Sequence, residues 1–237
     1  MKILVIGGMH GNERLGLEVV KLFQKNPISQ VDTLLANKRA IAASCRFTDQ
    51  DLNRSFPGNP KAVDYEARRA AEILKKTTDY DVVLDFHNTY CPDNDCGFIG
   101  EAANDTLTDV AWLLGLDKVI VADYDCINKA AKNCLSIEVS LGSALNDDRL
   151  WYERIVMLSR VDGFDTKANI QKFRFVYRMT IEDKRRLQLD KQELRAFQAL
   201  SKELASAMGV ASPAYPIFIG DGFTPYNYGG LLNKINV

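Results

Sequence analysis

Short apolar runs rich in β-branched residues alternate along the first two-thirds of the chain with stretches whose apolar positions recur every three to four residues. Lys2 to Ile6 is such a run, ended by Gly7-Gly8, and reads as a strand buried on both faces. Leu15, Val19, Leu22 and Phe23 then mark one face of a helix that Asn26-Pro27 stops. Val31 to Ala36 is a second strand. From Ala40 to Pro60 the pattern is irregular and polar. A second amphipathic helix runs from Ala62 to Lys76, with Val63, Ala67, Ala70 and Leu74 on one face. Val82 to Phe86 is a third strand, followed directly by His87. A helix over Leu107–Leu114, strands over Lys118–Ala122 and Leu135–Val139, and a helix from Asp148 to Ser159 complete this part.

Strands alternating with helices predict an α/β fold: a mostly parallel sheet flanked by helices, with right-handed crossovers. After Gly163 the texture changes. Lys172 to Ile181 alternates polar and apolar residues, as a half-exposed antiparallel strand does, and Phe173, Phe175 and Tyr177 are read as its packing face. Tyr215 to Ile219 is another apolar strand, with turn residues after it. The division expected is therefore an α/β domain over residues 1–163 and a small β-rich C-terminal unit over 164–237. The second is short for a free-standing domain and should pack on the first as a cap over its cleft.

Composition narrows the function classes. The chain has 237 residues, 46% hydrophobic and 26% charged, an ordinary globular balance. Thirty basic and 31 acidic side chains leave a formal charge of −1, with no basic excess to engage a phosphate backbone, so nucleic acid is not an expected partner. No apolar run is long enough to span a bilayer, so no membrane is expected either. The N-terminus lacks the features of a signal peptide, which points to a cytoplasmic protein. Five scattered cysteines fit reduced thiols better than a disulfide framework.

The chain has only two histidines, His10 and His87, and each follows or ends a strand that should lie in the same parallel sheet. Sites in such sheets form at the carboxyl ends of the strands. His10-Gly11-Asn12-Glu13 sets an imidazole and a carboxylate three residues apart, close enough to reach one cation. With His87 they make a His2Glu set, the ligand set of a catalytic zinc with an open position for water. Alone, either histidine reads as a cap or a satisfied strand-end residue; it is the set that points to metal. Glu138, flanked by the apolar Ile137 and Val139, faces the other way from them and is the candidate proton shuttle. In the cluster Cys45 to Arg54, Arg46 can donate to a developing oxyanion, and Arg54 with Asn53 can grip a carboxylate. By composition alone that cluster also reads as a solvated loop. The Gly7-Gly8-x-x-Gly11 turn lacks dinucleotide spacing, Cys91 and Cys96 read as free loop thiols, and Ser140 and Ser143 lack a histidine to activate them.

These residues match a family pattern. Gly7-Gly8-Met9-His10-Gly11-Asn12-Glu13, Asp51-Leu52-Asn53-Arg54, Asp85-Phe86-His87-Asn88-Thr89 and Ile137-Glu138-Val139, in this order, resemble the aspartoacylase/succinylglutamate desuccinylase family of the zinc carboxypeptidase superfamily. The resemblance covers residues 2–142, and beyond them rests on Tyr215-Pro216-Ile217-Phe218 and a tyrosine shortly after. It implies a zinc carboxypeptidase-like fold and one zinc ion per chain, held by His10, Glu13 and His87. It implies Glu138 as general base and acid, Arg46 as the polariser of the carbonyl, and Asn53 and Arg54 as binders of the substrate carboxylate. It further implies that Tyr124 and Tyr226 face substrate. One position departs: Asn128 stands ten residues before Glu138, where aspartoacylases carry an arginine, and an amide cannot supply a guanidinium fork. The resemblance thus extends to the hydrolytic core and leaves N-acetylaspartate in question as substrate.

The expected activity is zinc-dependent hydrolysis of the amide bond of a small N-acyl amino acid, with Glu138 activating the zinc-bound water. A zinc carboxypeptidase acting on peptides and a catalytically silent metal-binding protein are the alternatives. The acyl group, the amino acid and whether the chain forms a homo-oligomer stay open.

Overall fold

The computed structural model describes residues 1–103, 106–163, 169–220 and 227–235. The chain begins with β1 (Ile3–Gly7), α1 (Leu15–Lys25), β2 (Val31–Leu35) and α2 (Lys38–Ala43), then a 3-10 turn at Leu52–Arg54 and α3 (Tyr65–Thr77). It continues through β3 (Val82–Thr89), β4 (Cys96–Gly100), α4 (Thr106–Leu113), β5 (Lys118–Ala122), α5 (Ile127–Ala130), β6 (Cys134–Ser140) and α6 (Asp148–Ser159). The C-terminal part holds β7 (Gln171–Thr180), α7 (Ile181–Leu187), α8 (Lys202–Ala207), β8 (Ala214–Ile217) and β9 (Asn227–Lys234).

Among the described residues the strands form one mixed sheet in the order β2-β1-β3-β6-β4-β5-β7-β9-β8. The fold is the predicted α/β sheet. The chain moves outward from β1 to β2 and then returns to pair β3 on the other side of β1, both pairings parallel. That reversal puts α1 and α3 on opposite faces: α1 packs with Ile3, Val5, Leu84 and Phe86, while α3 packs with Leu4, Ile6 and Val83. It also opens a crevice between the carboxyl ends of β1 and β3, where ligands bind in sheets of this kind. His10 follows β1 and His87 lies in β3, so the two histidines straddle that crevice.

Three details differ from the sequence pattern. Val63 is 92% exposed and precedes α3, whose buried face is Glu66, Ala70, Ile73 and Thr77. Hydrophobicity misassigned that face because a charged residue, Glu66, is buried and fully hydrogen-bonded. Strand β4 went unread because its sequence, Cys-Gly-Phe-Ile-Gly, has the glycine punctuation of a turn; it runs antiparallel to β6 and makes the sheet mixed. Finally, the alternation along β7 inverts at Val176. Phe175 pairs Leu232 while Tyr177 pairs Leu231, an extra residue on one strand. Phe173 and Phe175 therefore pack with Phe98 and Ile120 on one face, whereas Tyr177 and Met179 pack with Leu189 and Met208 on the other.

Strand β7 pairs β5 in parallel and β9 in antiparallel, so the strands after residue 169 extend the same sheet. No helix among the described residues is long and apolar enough to cross a membrane.

Candidate active site

The loop after β1 is shaped by two glycines. Gly8 has φ +71°, a conformation that disfavours a side chain. A Cβ on Gly11 would collide with the backbone of Ala40 in α2, so only glycine lets the loop lie against that helix. The Gly11 N–H donates to the Arg46 carbonyl at 3.3 Å, tying the histidine loop to the arginine loop. On the other side, Asn88 accepts from the Leu15 N–H at 3.0 Å and so pins the end of β3 to the start of α1.

These anchors bring His10, Glu13 and His87 together. One donor atom from each lies within 4.8 Å of the others, and all three residues are buried. His10 Nδ1 is 2.7 Å from Glu13 Oε1, and His87 Nδ1 is 3.0 Å from Glu13 Oε2. The imidazole rings sit 5.0 Å apart. Each outer nitrogen meets its own carboxylate: His10 Nε2 lies 3.1 Å from Asp51 Oδ1, and His87 Nε2 lies 2.8 Å from Asp85 Oδ2. Arg46 closes the ring, with Nη1 3.5 Å from Glu13 Oε1 and Nη2 3.2 Å from Asp51 Oδ2.

The electrostatics follow from this packing. Burial alone would push His10 down, but the Glu13 and Asp51 carboxylates outweigh it and the pKa is raised. His87 is raised further, since Asp85 and Glu13 overcome the cost of burying its charge. Burial would raise the Glu13 and Asp51 carboxyls; His10 and His87 lower that of Glu13, and His10, Arg46 and Arg54 lower that of Asp51.

This donor set fits a divalent cation. Two Nδ1 atoms converge on one carboxylate, while the outer nitrogens are oriented by second carboxylates, as the histidines of protein metal sites are. In addition, Asp85 Oδ1 is buried with no hydrogen-bond partner. Zinc suits a His2Glu set.

The cluster opens into a cavity of about 440 Å³. The parallel register of β3 and β6 sets Glu138 beside His87, on the face opposite Ile137 and Val139. Glu138 is half-buried and lines the cavity, as do Arg46, Asn53, Arg54 and Tyr124. The Arg54 guanidinium stacks over the Tyr124 ring at 4.7 Å. Asn53 Oδ1 accepts from the Ile127 N–H at 3.1 Å. Asn128 also reaches the cavity wall, but its amide is engaged: it donates to the carbonyls of Phe98 and Cys134 and accepts from Ser136. Tyr226 lies outside the described residues.

Several residues in and around the site escaped the sequence reading. Asp51 and Asp85 were visible only as motif members, because nothing in spacing tells which nitrogen they meet. Phe98, Phe175, Arg178 and Phe218 come from β4, β7 and the end of β8. They reach the cavity only through the sheet order and the inversion in β7.

A mixed α/β sheet with a buried His–Glu–His cluster at its carboxyl edge defines an α/β protein with a candidate metal site. Residues 1–113 match the family model described as Succinylglutamate desuccinylase/Aspartoacylase catalytic domain. It is 37% identical over 107 residues to the N-acyl-aromatic-L-amino acid amidohydrolase (carboxylate-forming) of Mus musculus, covering 38% of this chain and 34% of that protein. It is 38% identical over 106 residues to the aspartoacylase of Rattus norvegicus, covering 37% of this chain and 34% of that protein. The matched stretch thus spans about a third of the length of these relatives. Beyond it the likeness is one of fold. The succinylglutamate desuccinylase of Chromobacterium violaceum superposes with a TM-score of 0.72 at 16% identity, covering all of this chain and 85% of that one.

Proposed function

We propose that the protein is a zinc-dependent amidohydrolase that removes the acyl group from a small N-acyl amino acid. The observation that carries this reading is the convergence of His10, Glu13 and His87 on one point beside the cavity that Glu138 lines. The names of the related proteins, which are acylases and a desuccinylase, support the same class of substrate.

His10, Glu13 and His87 would hold the ion. When bound, zinc supplies a Lewis acid and brings the pKa of water down to about 7. The substrate carboxylate pairs with the Arg54 guanidinium, and the Asn53 amide adds a donor. The Arg46 guanidinium, held in place by Glu13 and Asp51, donates to the acyl oxygen as negative charge develops on it. Glu138 takes a proton from the attacking water and returns it to the departing amine. The carbon–nitrogen bond breaks as the amine is protonated, giving a carboxylic acid and a free amino acid. Tyr124 lies under Arg54 and orients it toward ligand. Tyr226 is assigned to the substrate face by sequence resemblance alone.

Residues 164–237 serve as the cap. Phe175, Arg178, Phe218, Asn227 and Gly230 line the cavity from the C-terminal part. They leave room for a small ligand rather than a long chain, which argues against a carboxypeptidase acting on peptides. Five cysteines, none in a disulfide, suit a reducing cytoplasm.

The test is a panel of N-acetyl, N-formyl and N-succinyl amino acids and blocked dipeptides, assayed with and without a chelator. Chelator-sensitive release of free amino acid from the acyl amino acids is expected. Hydrolysis confined to peptides, or metal content with no hydrolysis across the panel, would overturn the reading.

A further inference from the structure

Asp85 and His87 lie two residues apart on β3 and so point to the same side of the sheet. The parallel register sets Ser136 of β6 beside Asp85, as it sets Glu138 beside His87. Asp85 is fully buried and Ser136 is nearly so. Asp85 Oδ1 has no hydrogen-bond partner, while Oδ2 meets both His87 Nε2 at 2.8 Å and the Ser136 hydroxyl at 3.0 Å. Among the described residues Ser136 is thus the one group besides His87 that hydrogen-bonds this carboxylate.

The Ser136 hydroxyl is itself held from the other side. Asn128 Oδ1 lies 2.9 Å from Ser136 Oγ, and Asn128 Nδ2 donates to the carbonyls of Phe98 at 2.9 Å and Cys134 at 3.1 Å. Two carbonyl acceptors decide which end of the amide is nitrogen, so its oxygen faces Ser136. The backbone fixes Asn128 in turn: a Cβ on Gly100 would collide with the Asn128 carbonyl, so β4 lies directly against α5. A chain of contacts therefore runs from Asn128 through Ser136 and Asp85 to His87, and only its last member belongs to the donor cluster.

We propose that Ser136 is a positioning residue for the zinc ligand His87, acting through Asp85. This rests on the metal half of the reading above. An imidazole that offers Nδ1 to a cation keeps its proton on Nε2, and the partner of that N–H fixes both the tautomer and the plane of the ring. Asp85 can do this only while its own carboxylate is held. With Oδ1 unpartnered, the bond from Ser136 is what keeps Oδ2 opposite His87 Nε2. Ser136 also lines the cavity, so direct contact with substrate is the competing role, and measurements without substrate separate the two.

The experiment is a zinc competition titration, with no substrate present, on the wild type, Ser136→Ala, Asp85→Asn and the variant carrying both. Asp85→Asn should weaken zinc binding by about 10–100-fold, the usual effect of losing the partner of a ligating imidazole. Ser136→Ala should weaken it by about three- to tenfold, less because the direct partner stays. On top of Asp85→Asn, Ser136→Ala should add nothing, since its effect passes through that carboxylate. Thermal unfolding of the metal-free proteins records packing losses separately. Should Ser136→Ala fail to fold, Ser136→Cys, of similar size and with a weaker donor, takes its place in the same comparison. A lowered melting temperature with zinc affinity unmoved, or a loss that adds in full to that of Asp85→Asn, would overturn the assignment and leave the metal site standing. A wild type that takes up no zinc would overturn both. The expected pattern of affinities without any hydrolysis would support the role of Ser136 and remove only the deacylase reading.

Discussion

Asp51 holds His10 by the same oxygen that caps the turn behind it: Oδ1 accepts from His10 Nε2 at 3.1 Å and from the Asn53 N–H at 2.9 Å. One carboxylate therefore sets both the orientation of a candidate metal ligand and the start of the 3-10 turn that presents Asn53 and Arg54. Asp51→Asn should weaken zinc binding by about 10–100-fold, the usual effect of losing the partner of a ligating imidazole. A zinc competition titration reads this directly. Unchanged affinity would mean that Asp51 acts only on the turn.

Glu138 stands beside His87 in the β3–β6 register without belonging to the three-residue donor cluster. Glu138→Gln should keep its zinc and lose turnover by about 10²–10⁴-fold, the scale of general acid–base catalysis. Elemental analysis and steady-state kinetics on one preparation test both halves. Full activity would remove Glu138 from the mechanism.

Metal affinity should rise with pH. In the metal-free protein the carboxylates around His10 and His87 raise both pKa values, so protons compete for the ligand nitrogens to higher pH than at a free histidine. Binding zinc then releases protons, and affinity falls as pH drops. Titrations at pH 6 and pH 8 should show tighter binding at the higher value. The reverse order would mean that the imidazoles are not the ligands.

Glu66 is a buried carboxylate of α3 that fastens the arginine loop. It accepts from the Thr48 N–H at 2.9 Å, the Thr48 hydroxyl at 2.7 Å, the Asn37 amide at 3.1 Å and the Asp49 N–H at 3.2 Å. Burial would raise its pKa, but these donors lower it. Glu66→Ala would strand several buried donors and should cost about 3 kcal/mol of stability. It should also release the segment between Arg46 and Asp51, raising KM. Thermal unfolding with kinetics checks both, and a drop in stability with KM unmoved would confine Glu66 to the fold.

Much of this was legible along the chain. Apolar periodicity marked β1, α1, β2, β3, β5, β6 and α6, because elements buried on one or both faces carry their period in the sequence. The motif around His10 and the position of Glu138 between Ile137 and Val139 marked candidate residues for the same local reason. Tertiary structure decided the rest. The return of the chain past β1 brings His10 and His87 to one crevice, and no local pattern encodes which strands become neighbours. The burial of Glu66 depends on donors from a loop 17–18 residues away in sequence. The parity of β7 depends on one extra residue opposite β9, so Arg178 looks like a solvent-facing charge until the partner strand is in place. Side-chain identity sets what a residue can do chemically; only the register between strands sets what it faces.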